Sequence, residues 1–495
     1  MPRPQSVLAA LLLAVPLLLA QALLAQTPRG PVKHPATETR IVFTGDILLS
    51  RNVRLQLKKQ TPWKGFETLF RGAAWVGGNL EGAVGKPEDC VPRAPSPCFD
   101  IADPLLVLLK SAGFNALSVE NNHAADLGDT GRNQTSSGLL QRGLLPLDFA
   151  GAPHFLQVGD ATMAVIAINT VKDAAGVSAA IPSIELAQKL RLARNLANLV
   201  VVSVHWGGEL LDWPSDGQRR QAEWLIDHGA DLILGQHPHV VQPPECVHGK
   251  PVFFSLGNHL FDQKYPETKE GLIAECRIAH GRLTCGGWST HTPPSSFFPE
   301  LRGRNHDADR ALAACTPGLS SGFSVNGIGV RPLPWKAGQP LEGIIVGAWK
   351  NGRWQWLSRR QHAVSLEAGP LAGRDQPDLL FSLERHFSPI DKEIGLRPYV
   401  YAIGPRGLVA RWRGSALAWP LLDARLLPGS NRICALHRGD SFLLLDPQTK
   451  ATRIAAYEWN GFGFKGVEDP EIERQCRALL MDEVQAGSVA QPVEP

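Results

Sequence analysis

Short apolar runs that favour β-strands alternate with helical stretches through the first half of the chain. Each run that predicts a strand ends in a polar or glycine-containing turn, and the runs are 40–44, 73–80, 115–119, 163–169, 199–204, 232–235 and 252–256. Helical periodicity between them covers 104–112, 184–197 and 218–228, the last of which precedes Gly229. This alternation predicts an α/β fold, in which functional sites gather at the carboxyl ends of the strands.

The alternation stops near Gln263, and the rest of the chain has a different character. Hairpin signals occur at 276–285 and around Asn351-Gly352, and short β-like runs continue from 397 to 464. We therefore expect the following division of the chain. The expected segments are a main domain over 40–290, a loop-rich insertion over 291–340, a hairpin over 341–360 that completes the domain, and a small β-rich C-terminal module over 395–485.

The N-terminus has the features of an export signal. Arg3 precedes an apolar run that continues to Ala25, and small residues near its end suit cleavage by a signal peptidase. We expect a signal peptide over 1–25, a linker over 26–39, and an exported protein that is periplasmic or extracellular. The alternative is an uncleaved N-terminal helix that anchors the protein, because the apolar run is about long enough to span a bilayer.

The cysteines agree with an exported protein. The chain has 8 cysteines, an even number, which favours disulfides in an oxidising compartment. Cys90 and Cys98 close a proline-rich loop, and Cys276 and Cys285 lie opposite each other if 278–283 forms a two-residue-turn hairpin. The remaining cysteines cannot be paired from the sequence.

Polar clusters follow several of the predicted strands, and this is the main functional signal in the sequence. The clusters are Gly45-Asp46 with Arg51, Asn79-Leu80-Glu81, Asn121-Asn122-His123 with Asp126, His205-Trp206-Gly207, and His237-Pro238-His239. Each cluster alone fits a turn or a cap. Because strand ends on one edge of a sheet converge, we expect the carboxylates, the amide and the imidazoles to meet there. Mixed oxygen and imidazole ligation suits zinc, manganese, iron or nickel rather than calcium.

These motifs carry a family resemblance. They run in the order GDILLSR from Gly45, NLEG from Asn79, NNHAADLG from Asn121, VHWGGE from Val204, GADLILGQHPHVVQ from Gly229 and SLGNHLFDQ from Ser255. The series resembles the CapA-type poly-γ-glutamate capsule-synthesis family, a branch of the calcineurin-like metallophosphoesterase superfamily, over residues 40–290. The resemblance implies an α/β fold in the form of a four-layer α/β/β/α metallophosphatase-like sandwich, with a smaller β-rich C-terminal extension outside it.

The resemblance also implies a set of metal ligands. Asp46 resembles the first ligand carboxylate, and Glu81 stands where the wider superfamily has a bridging aspartate. The other implied ligands are Asn122, His205, His237 and His239. The implied cofactor is one or more divalent metal ions, with manganese, iron or zinc as the candidates. One departure concerns Leu48, which stands where the wider superfamily has a histidine in its first motif; the CapA branch shares this feature.

Three residues are candidates for catalysis. By resemblance, His123 protonates the leaving group, and Asp126 is placed to orient the His123 ring. Arg51 is a candidate clamp for developing negative charge, with a structural ion pair as the alternative. Glu209 is a weaker candidate than Arg51, and we interpret Glu120 and His259 as local variations near the cleft rather than participants.

Two functional hypotheses follow. The first is an exported CapA-like protein of capsule or poly-γ-glutamate biosynthesis or export, with a metal-dependent phosphoesterase-like hydrolase site. The second is a non-catalytic accessory protein that binds the polymer on the same fold. The pair Asn122-His123 favours the first and Leu48 favours the second, so the sequence leaves catalysis open.

Expected partners follow from the same hypotheses. They are an anionic envelope polymer, or a small phosphate or amide substrate, and membrane proteins of a polymer synthase. A net charge of +3 is too close to balance to indicate nucleic acid, and we expect none as a partner.

Overall fold

The computed structural model describes residues 38–57, 62–91, 97–339, 341–387, 394–414, 417, 420–439 and 451–488. The described residues from Thr39 onward belong to one compact unit. The predicted signal peptide and nearly all of the predicted linker lie outside the described residues. Within the described part of the chain, no helix is both long enough and apolar enough to cross a membrane.

In the described residues, the main α/β region contains eighteen strands and seven α-helices. The strands up to residue 205 are β1 (Thr39–Ile47), β2 (Trp75–Leu80), β3 (Ala83–Val84), β4 (Asp100–Ile101), β5 (Ala116–Ser118), β6 (Leu145–Leu147), β7 (His154–Val158), β8 (Ala161–Asn169) and β9 (Leu199–His205). The next strands are β10 (Leu232–Gln236), β11 (Val241–Gln242), β12 (Glu245–Val247), β13 (Lys250–Phe253), β14 (Ser255–Leu256), β15 (Asn258–Leu260), β16 (Glu270–Ala279), β17 (Arg282–His291) and β18 (Glu300–Asn305). The helices are α1 (Arg51–Leu57), α2 (Glu67–Phe70), α3 (Leu106–Ala112), α4 (Gly128–Gln141), α5 (Ile184–Leu196), α6 (Asp216–Asp227) and α7 (His306–Leu312).

Two large sheets form this region. One has eight strands in the order β18-β17-β16-β1-β2-β5-β6, with β15 also paired to β1. The other has six strands in the order β12-β13-β10-β9-β8-β7. The strands β1, β2, β5 and β6 run parallel to one another in the first sheet, where β1 pairs antiparallel with β16 on its other side, and β8, β9, β10 and β13 run parallel to one another in the second. The predicted α/β fold is therefore confirmed.

Each sheet buries both faces, which explains why its strands are continuous apolar runs. Phe43 of β1 shares a core cluster with Val165 of β8, so alternate residues of the two sheets are buried together. Val42 precedes Phe43 in β1 and belongs to a different core cluster, which also contains Leu106 of α3. On the second sheet, Val202 is buried with residues of α5 and α6. Helices therefore cover the faces that the sheets do not share.

Local signals fix the helix ends close to their predicted positions. Helix α6 begins after Ser215, whose side chain accepts a hydrogen bond from the backbone of Gln218 while the Gln218 side chain accepts one from the backbone of Ser215. Its C-terminal end is followed by Gly229, whose φ of 114° is accessible to glycine but rare for other residues. The predicted end of this helix before Gly229 is confirmed.

Residues 291–340 differ from the expected loop-rich insertion. They contain β18, α7 and a hairpin of β19 (Phe323–Val325) and β20 (Ile328–Pro332). The strand β18 is set by long-range pairing with β17, which local composition does not show. The predicted hairpin turn at Asn351-Gly352 joins β21 (Val346–Lys350) to β22 (Arg353–Leu357), and both strands complete a four-stranded sheet with β19 and β20.

The C-terminal region is rich in β-strands and begins earlier than expected. Its strands are β23 (Ala363–Gly369), β24 (Leu379–Phe387), β25 (Ile394–Gly404), β26 (Gly407–Arg413), β27 (Leu421–Leu426), β28 (Arg432–Arg438), β29 (Thr452–Trp459) and β30 (Phe464–Val467), followed by helix α8 (Pro470–Ser488). They form one sheet in the order β23-β24-β25-β27-β28-β29-β30, with β26 on β25. The sheet thus starts at Ala363 rather than at 395, because β23 and β24 are set by pairing with each other.

All 8 cysteines are paired in the structure. The two local disulfides that the sequence predicts, Cys90–Cys98 and Cys276–Cys285, are both present. The other two are Cys246–Cys315 and Cys434–Cys476. The last joins β28 to α8, so it holds the terminal helix on the C-terminal sheet.

A buried ion pair connects the C-terminal sheet to the main α/β region. Asp423 of β27 is fully buried and accepts hydrogen bonds from Arg191 of α5 at 2.7 and 2.8 Å. Gln188 of the same helix donates to Asp423 at 2.9 Å. Removal of the Asp423 carboxylate would take away the acceptor of these three hydrogen bonds, which is costly in the protein interior.

We expect Asp423→Ala to lower the free energy of unfolding by about 3–5 kcal/mol, since the buried Arg191 guanidinium loses its hydrogen bonds to Asp423, whereas its contact with Glu367 is longer, at 3.7 Å. The matched control is Glu458→Gln, which removes one partner of the part-exposed Arg432–Glu458 pair and is expected to cost about 1 kcal/mol or less. Urea unfolding of the full chain measures both. Equal losses in the two variants would contradict a special role for the buried pair.

Candidate metal centre

The candidate ligands come from the carboxyl ends of parallel strands in the two sheets. Asp46 lies near the end of β1, opposite Asn79 of β2, and Glu81 follows β2 directly. His205 ends β9 and lies opposite Gln236, the last residue of β10. The His-Pro-His turn begins at the next residue. Strand topology therefore brings the predicted residues to one place, as the sequence pattern predicts.

An amide network positions the first carboxylate. The side-chain amide of Asn79 donates to Asp46 Oδ1 at 2.8 Å, and the amide of Asn121 donates to Asn79 Oδ1 at 3.1 Å. Asn121 also donates to the backbone oxygen of Leu80 at 2.9 Å. All three polar side chains are fully buried. The two asparagines thus orient Asp46, a role that the sequence pattern alone did not assign to them.

The histidines lie against the carboxylates and the amides. His239 Nδ1 is 3.2 Å from Asp46 Oδ2, and His239 Nε2 is 3.7 Å from Glu81 Oε1. His205 Nε2 is 3.0 Å from Asn122 Oδ1, and the His205 and His237 ring centroids are 4.7 Å apart. All six predicted metal ligands, Asp46, Glu81, Asn122, His205, His237 and His239, are buried in this one region.

Two groups of donor atoms are close enough to hold a metal ion. Asp46, Glu81 and His239 each contribute an atom to one group, and Glu209, His237 and His239 contribute to the other, with all atoms of a group within 4.8 Å of one another. From the sequence, Glu209 is a weaker candidate than Arg51. Its place in the VHWGGE motif, four residues after His205, is the only sequence signal for it.

The polar atoms of this centre fit a bound cation. Glu81 is fully buried, yet neither of its carboxylate oxygens has a hydrogen-bond partner within the described residues. His237 Nδ1 likewise has none in that part of the chain, although the residue is only 5% exposed. Buried polar groups without partners are rare and costly. A divalent cation would balance the Glu81 carboxylate and accept the histidine lone pair.

Burial and neighbouring charges shift the pKa values of the candidate ligands, upward for some residues and downward for others. Burial raises the pKa of Glu81 well above its usual value, and burial lowers the pKa of His237 to about 3 and that of His205 well below its usual value. Burial alone would lower the pKa of His239 as well, but the charges of Glu81 and Asp46 raise it to about 9. His205 and His237 are therefore neutral near pH 7, the form in which imidazole binds metals.

The backbone of the His-Pro-His turn is held in an unusual conformation. His237 has a φ of 98° and His239 a φ of 60°, in the region that residues other than glycine rarely adopt. The backbone N–H of His237 donates to Asp46 Oδ2 at 3.3 Å, and Asn258 Oδ1 is 2.9 Å from His239 Nδ1. Such strain is characteristic of functional sites. The turn is thus fixed to the end of β1.

His123 stands beside the ligands in a fixed orientation. Its Nδ1 is 2.7 Å from Asp126 Oδ2, which also accepts a hydrogen bond from the backbone N–H of Phe99 at 2.8 Å. The Phe99 ring stacks on the imidazole with centroids 3.7 Å apart. His123 Nε2 is 3.9 Å from Glu81 Oε1. Asp126 therefore turns the other ring nitrogen toward the ligand cluster.

Arg51 and His259 have other partners. Arg51 Nε is 3.2 Å from Asp262 Oδ2, and its guanidinium carbon is 5.3 Å from the centroid of Phe99. The structure thus shows the ion pair that was the alternative for Arg51, whereas the charge clamp stays a prediction. His259 is buried, and its Nε2 accepts a hydrogen bond from the indole N–H of Trp63 at 3.0 Å. His259 belongs to the core packing around α2.

Comparison with known proteins gives a consistent result. The family model described as bacterial capsule synthesis protein PGA_cap matches residues 40–263, which contain every candidate ligand. The PGA biosynthesis protein CapA of Bacillus subtilis (strain 168) is 31% identical over 261 residues, which cover 48% of this chain and 67% of that protein. The chain belongs to this capsule synthesis family.

More distant relatives share shorter parts of the chain. The capsule biosynthesis protein CapA of Bacillus anthracis is 28% identical over 279 residues, which cover 50% of this chain and 66% of that protein. A probable polyglutamine synthesis accessory protein of Mycobacterium tuberculosis is 26% identical over 100 residues, 20% of this chain and 26% of that protein. The chain therefore matches about two thirds of the two CapA proteins, and the C-terminal sheet lies outside the residues that the family model matches.

We expect the double variant His237→Ala plus His239→Ala to lose bound metal, because both donor groups include at least one of these rings. Wild-type protein incubated with Mn²⁺ or Zn²⁺ should retain the ion after dialysis and unfold at a higher temperature, since a ligand that binds only the folded state stabilises it. Metal analysis and thermal unfolding measure the two effects. The control is His248→Ala, which replaces an exposed histidine outside the centre. Unchanged metal content in the double variant would contradict the site.

Proposed function

We propose that this chain is an exported CapA-like protein of poly-γ-glutamate or related capsule-polymer synthesis, with a metal-dependent phosphoesterase-like hydrolase site at the strand ends. The observation that carries the proposal is the buried Glu81 carboxylate, which has no hydrogen-bond partner within the described residues, beside the oriented pair of His123 and Asp126. The family and the names of the CapA relatives support the polymer context. The proposal includes a four-layer α/β/β/α arrangement of the two sheets and their covering helices.

The metal ligands in this proposal are the six buried residues of the centre. A divalent ion held there, with manganese, iron or zinc as the candidates, would activate water and stabilise negative charge on the substrate. Asp46 and Glu81 supply the negative charge that favours a cation, and the neutral rings of His205 and His237 supply nitrogen donors. The amide of Asn79 keeps Asp46 in place during turnover.

His123 is the proton donor in this proposal. Its Nδ1 faces Asp126, so the proton that it delivers is on Nε2, the nitrogen that faces Glu81. Asp126 stabilises the charged imidazolium before transfer, and the backbone N–H of Phe99 holds Asp126 in position. The stacked Phe99 ring excludes water from one face of the imidazole. The chain thereby holds a proton at a defined atom beside the metal ligands.

The proposed substrates and partners follow from the polymer context. An anionic envelope polymer, or a small phosphate or amide compound, would approach a centre of cations and histidines. Membrane proteins of a polymer synthase are the proposed protein partners. The proposed location is the periplasm or the extracellular space. The N-terminal export signal would direct the protein there or, if it is not cleaved, hold the protein at the membrane.

A second candidate function is polymer binding without catalysis. The observation that favours it is Leu48, which is fully buried in an apolar cluster at the position where the wider superfamily has a histidine. A centre with fewer ligands could hold an ion that contacts polymer carboxylates without activating water. Binding of poly-γ-glutamate to metal-loaded protein, combined with no hydrolysis of any tested bond, would favour this candidate.

We expect His123→Ala to lower kcat for phosphodiester or γ-glutamyl substrates by about 10²–10⁴, the usual contribution of a general acid. Asp126→Asn should also lower kcat, because an uncharged amide does not stabilise the imidazolium of His123. Metal content should stay at the wild-type level in both, and His248→Ala should keep full activity. Activity that is indifferent to His123→Ala would remove the proposed proton donor.

A further inference from the structure

The C-terminal sheet carries a cleft that is separate from the metal centre in its lining residues. Its volume is about 660 Å³, within the roughly 300–1,000 Å³ range of small-ligand sites, so it accommodates a short segment of a polymer. The loop from β23 to β24, the strands β25 and β26, and the turn from β29 to β30 all contribute to its walls. Every lining residue follows residue 263, where the family match ends, so the match assigns the cleft no role.

The accessible charge of this cleft is positive. Arg374 of the β23–β24 loop and Arg411 of β26 line it, both are exposed, and within the described residues neither guanidinium has a hydrogen bond or an ion pair. Asp378 also lines the cleft, but it is only 3% exposed, and both of its carboxylate oxygens accept from the backbone N–H of Ala372 at 3.1 Å. Asp375 is exposed and does not belong to the lining. Asp378 therefore fixes the loop that carries Arg374, and the two arginines remain available to a ligand.

A β-bulge sets the position of Arg411. In the pairing of β25 with β26, Val400 lies opposite Trp412 and Tyr401 lies opposite Ala410, so Arg411 is the extra residue of the bulged strand. A bulge interrupts the regular alternation of side chains along a strand, and bulges are common next to functional sites because they re-aim a side chain. Arg411 therefore departs from the alternation of β26 at the point where it lines the cleft.

Asparagine side chains fix the opposite wall of the cleft and add a donor to it. The oxygen of the Asn460 side chain accepts from the backbone N–H groups of Phe462 at 3.0 Å and Gly463 at 2.9 Å. The nitrogen of the same side chain has no partner within the described residues. The side chain of Asn431 donates to the backbone oxygen of Trp459 at 3.2 Å, and the backbone N–H of Trp459 donates back to the Asn431 oxygen at 2.9 Å. A fixed amide donor thus accompanies the two guanidinium groups.

We propose that this cleft binds the carboxylates of an anionic polymer through Arg374 and Arg411, and the identity of that polymer as a γ-glutamate chain rests on the proposed function. Guanidinium groups bind carboxylates through paired, charge-assisted hydrogen bonds. A γ-linked glutamate chain has one free carboxylate on each residue and no cationic side chain, so one chain can offer a carboxylate to each arginine. A neutral glycan fits less well, because Trp459, the aromatic residue of the lining, is only 4% exposed and presents no free ring face to a sugar.

The test measures the binding of a short γ-glutamate oligomer to the full chain by isothermal titration calorimetry. The variants are Arg374→Gln, Arg411→Gln and the double variant, and the matched control is Arg353→Gln, which replaces an exposed arginine of β22 that likewise has no ion pair within the described residues. Each protein is first stripped with a chelator, so that a carboxylate cannot bind through a metal ion. The comparison ligands are the same oligomer with its carboxylates converted to amides and a neutral oligosaccharide. Thermal unfolding shows whether each variant is folded.

We expect wild type and Arg353→Gln to bind the γ-glutamate oligomer with equal affinity. The double variant should bind it at least about 10-fold more weakly, because each lost guanidinium removes charge-assisted hydrogen bonds, and each single variant should show a smaller loss. Added salt should weaken wild-type binding, since it screens exposed charges.

Several results would overturn the inference. They are no binding by stripped wild type, equal affinity in wild type and the double variant, equal binding of the amidated oligomer, and tighter binding of the neutral oligosaccharide. Metal uptake by the same wild-type protein tests the proposed function separately. Oligomer binding that appears only after metal is restored would overturn the cleft and leave the metal centre supported, whereas oligomer binding by a protein that takes up no metal would support the cleft and contradict the proposed hydrolase site.

Discussion

The organisation of the site depends on the burial of negative charge at the ends of parallel strands. Asp46 and Glu81 are both fully buried, and burial of a carboxylate is strongly unfavourable unless hydrogen bonds or opposite charges compensate for it. Asp46 has the amide of Asn79 and the backbone N–H of His237, but Glu81 has no hydrogen-bond partner within the described residues. The nearest positive groups that can compensate Glu81 are the imidazoles of His239 and His123, at 3.7 and 3.9 Å, and the strained histidine turn holds the first of them in place.

The sequence predicts that these polar residues converge because their placement follows from topology. Parallel strands in one sheet end at one edge, so a polar residue just after an apolar run is placed there by the chain direction alone. Asp46, Glu81 and His205 were predictable for this reason. Asn79 and Asn121 could not be assigned the task of orienting Asp46, because that depends on the register of β1 against β2. Glu209 was hidden for a similar reason, since a loop residue has no periodic pattern.

Long-range pairing explains the remaining differences between expectation and structure. The segment 291–340 is rich in serine, proline and glycine, yet β18 forms there because β17 presents an edge for it. The C-terminal sheet begins at Ala363 because β23 pairs with β24, and Asp423 holds the sheet to α5 through Arg191. Local composition contains no information about such partners. The hairpin disulfide Cys276–Cys285 was predictable because the two cysteines lie opposite each other on adjacent strands of one local hairpin.

The surroundings of the ligands determine how a substrate reaches them. Phe99 covers one face of His123, and Phe261 lies against His239 with ring centroids 4.7 Å apart. Both aromatic rings are buried. The exposed side of the centre is the loop after β9, where Glu209 and the 68% exposed Trp213 lie. Under the proposed function, a polymer that is too large to enter a buried pocket would therefore contact the loop after β9 first.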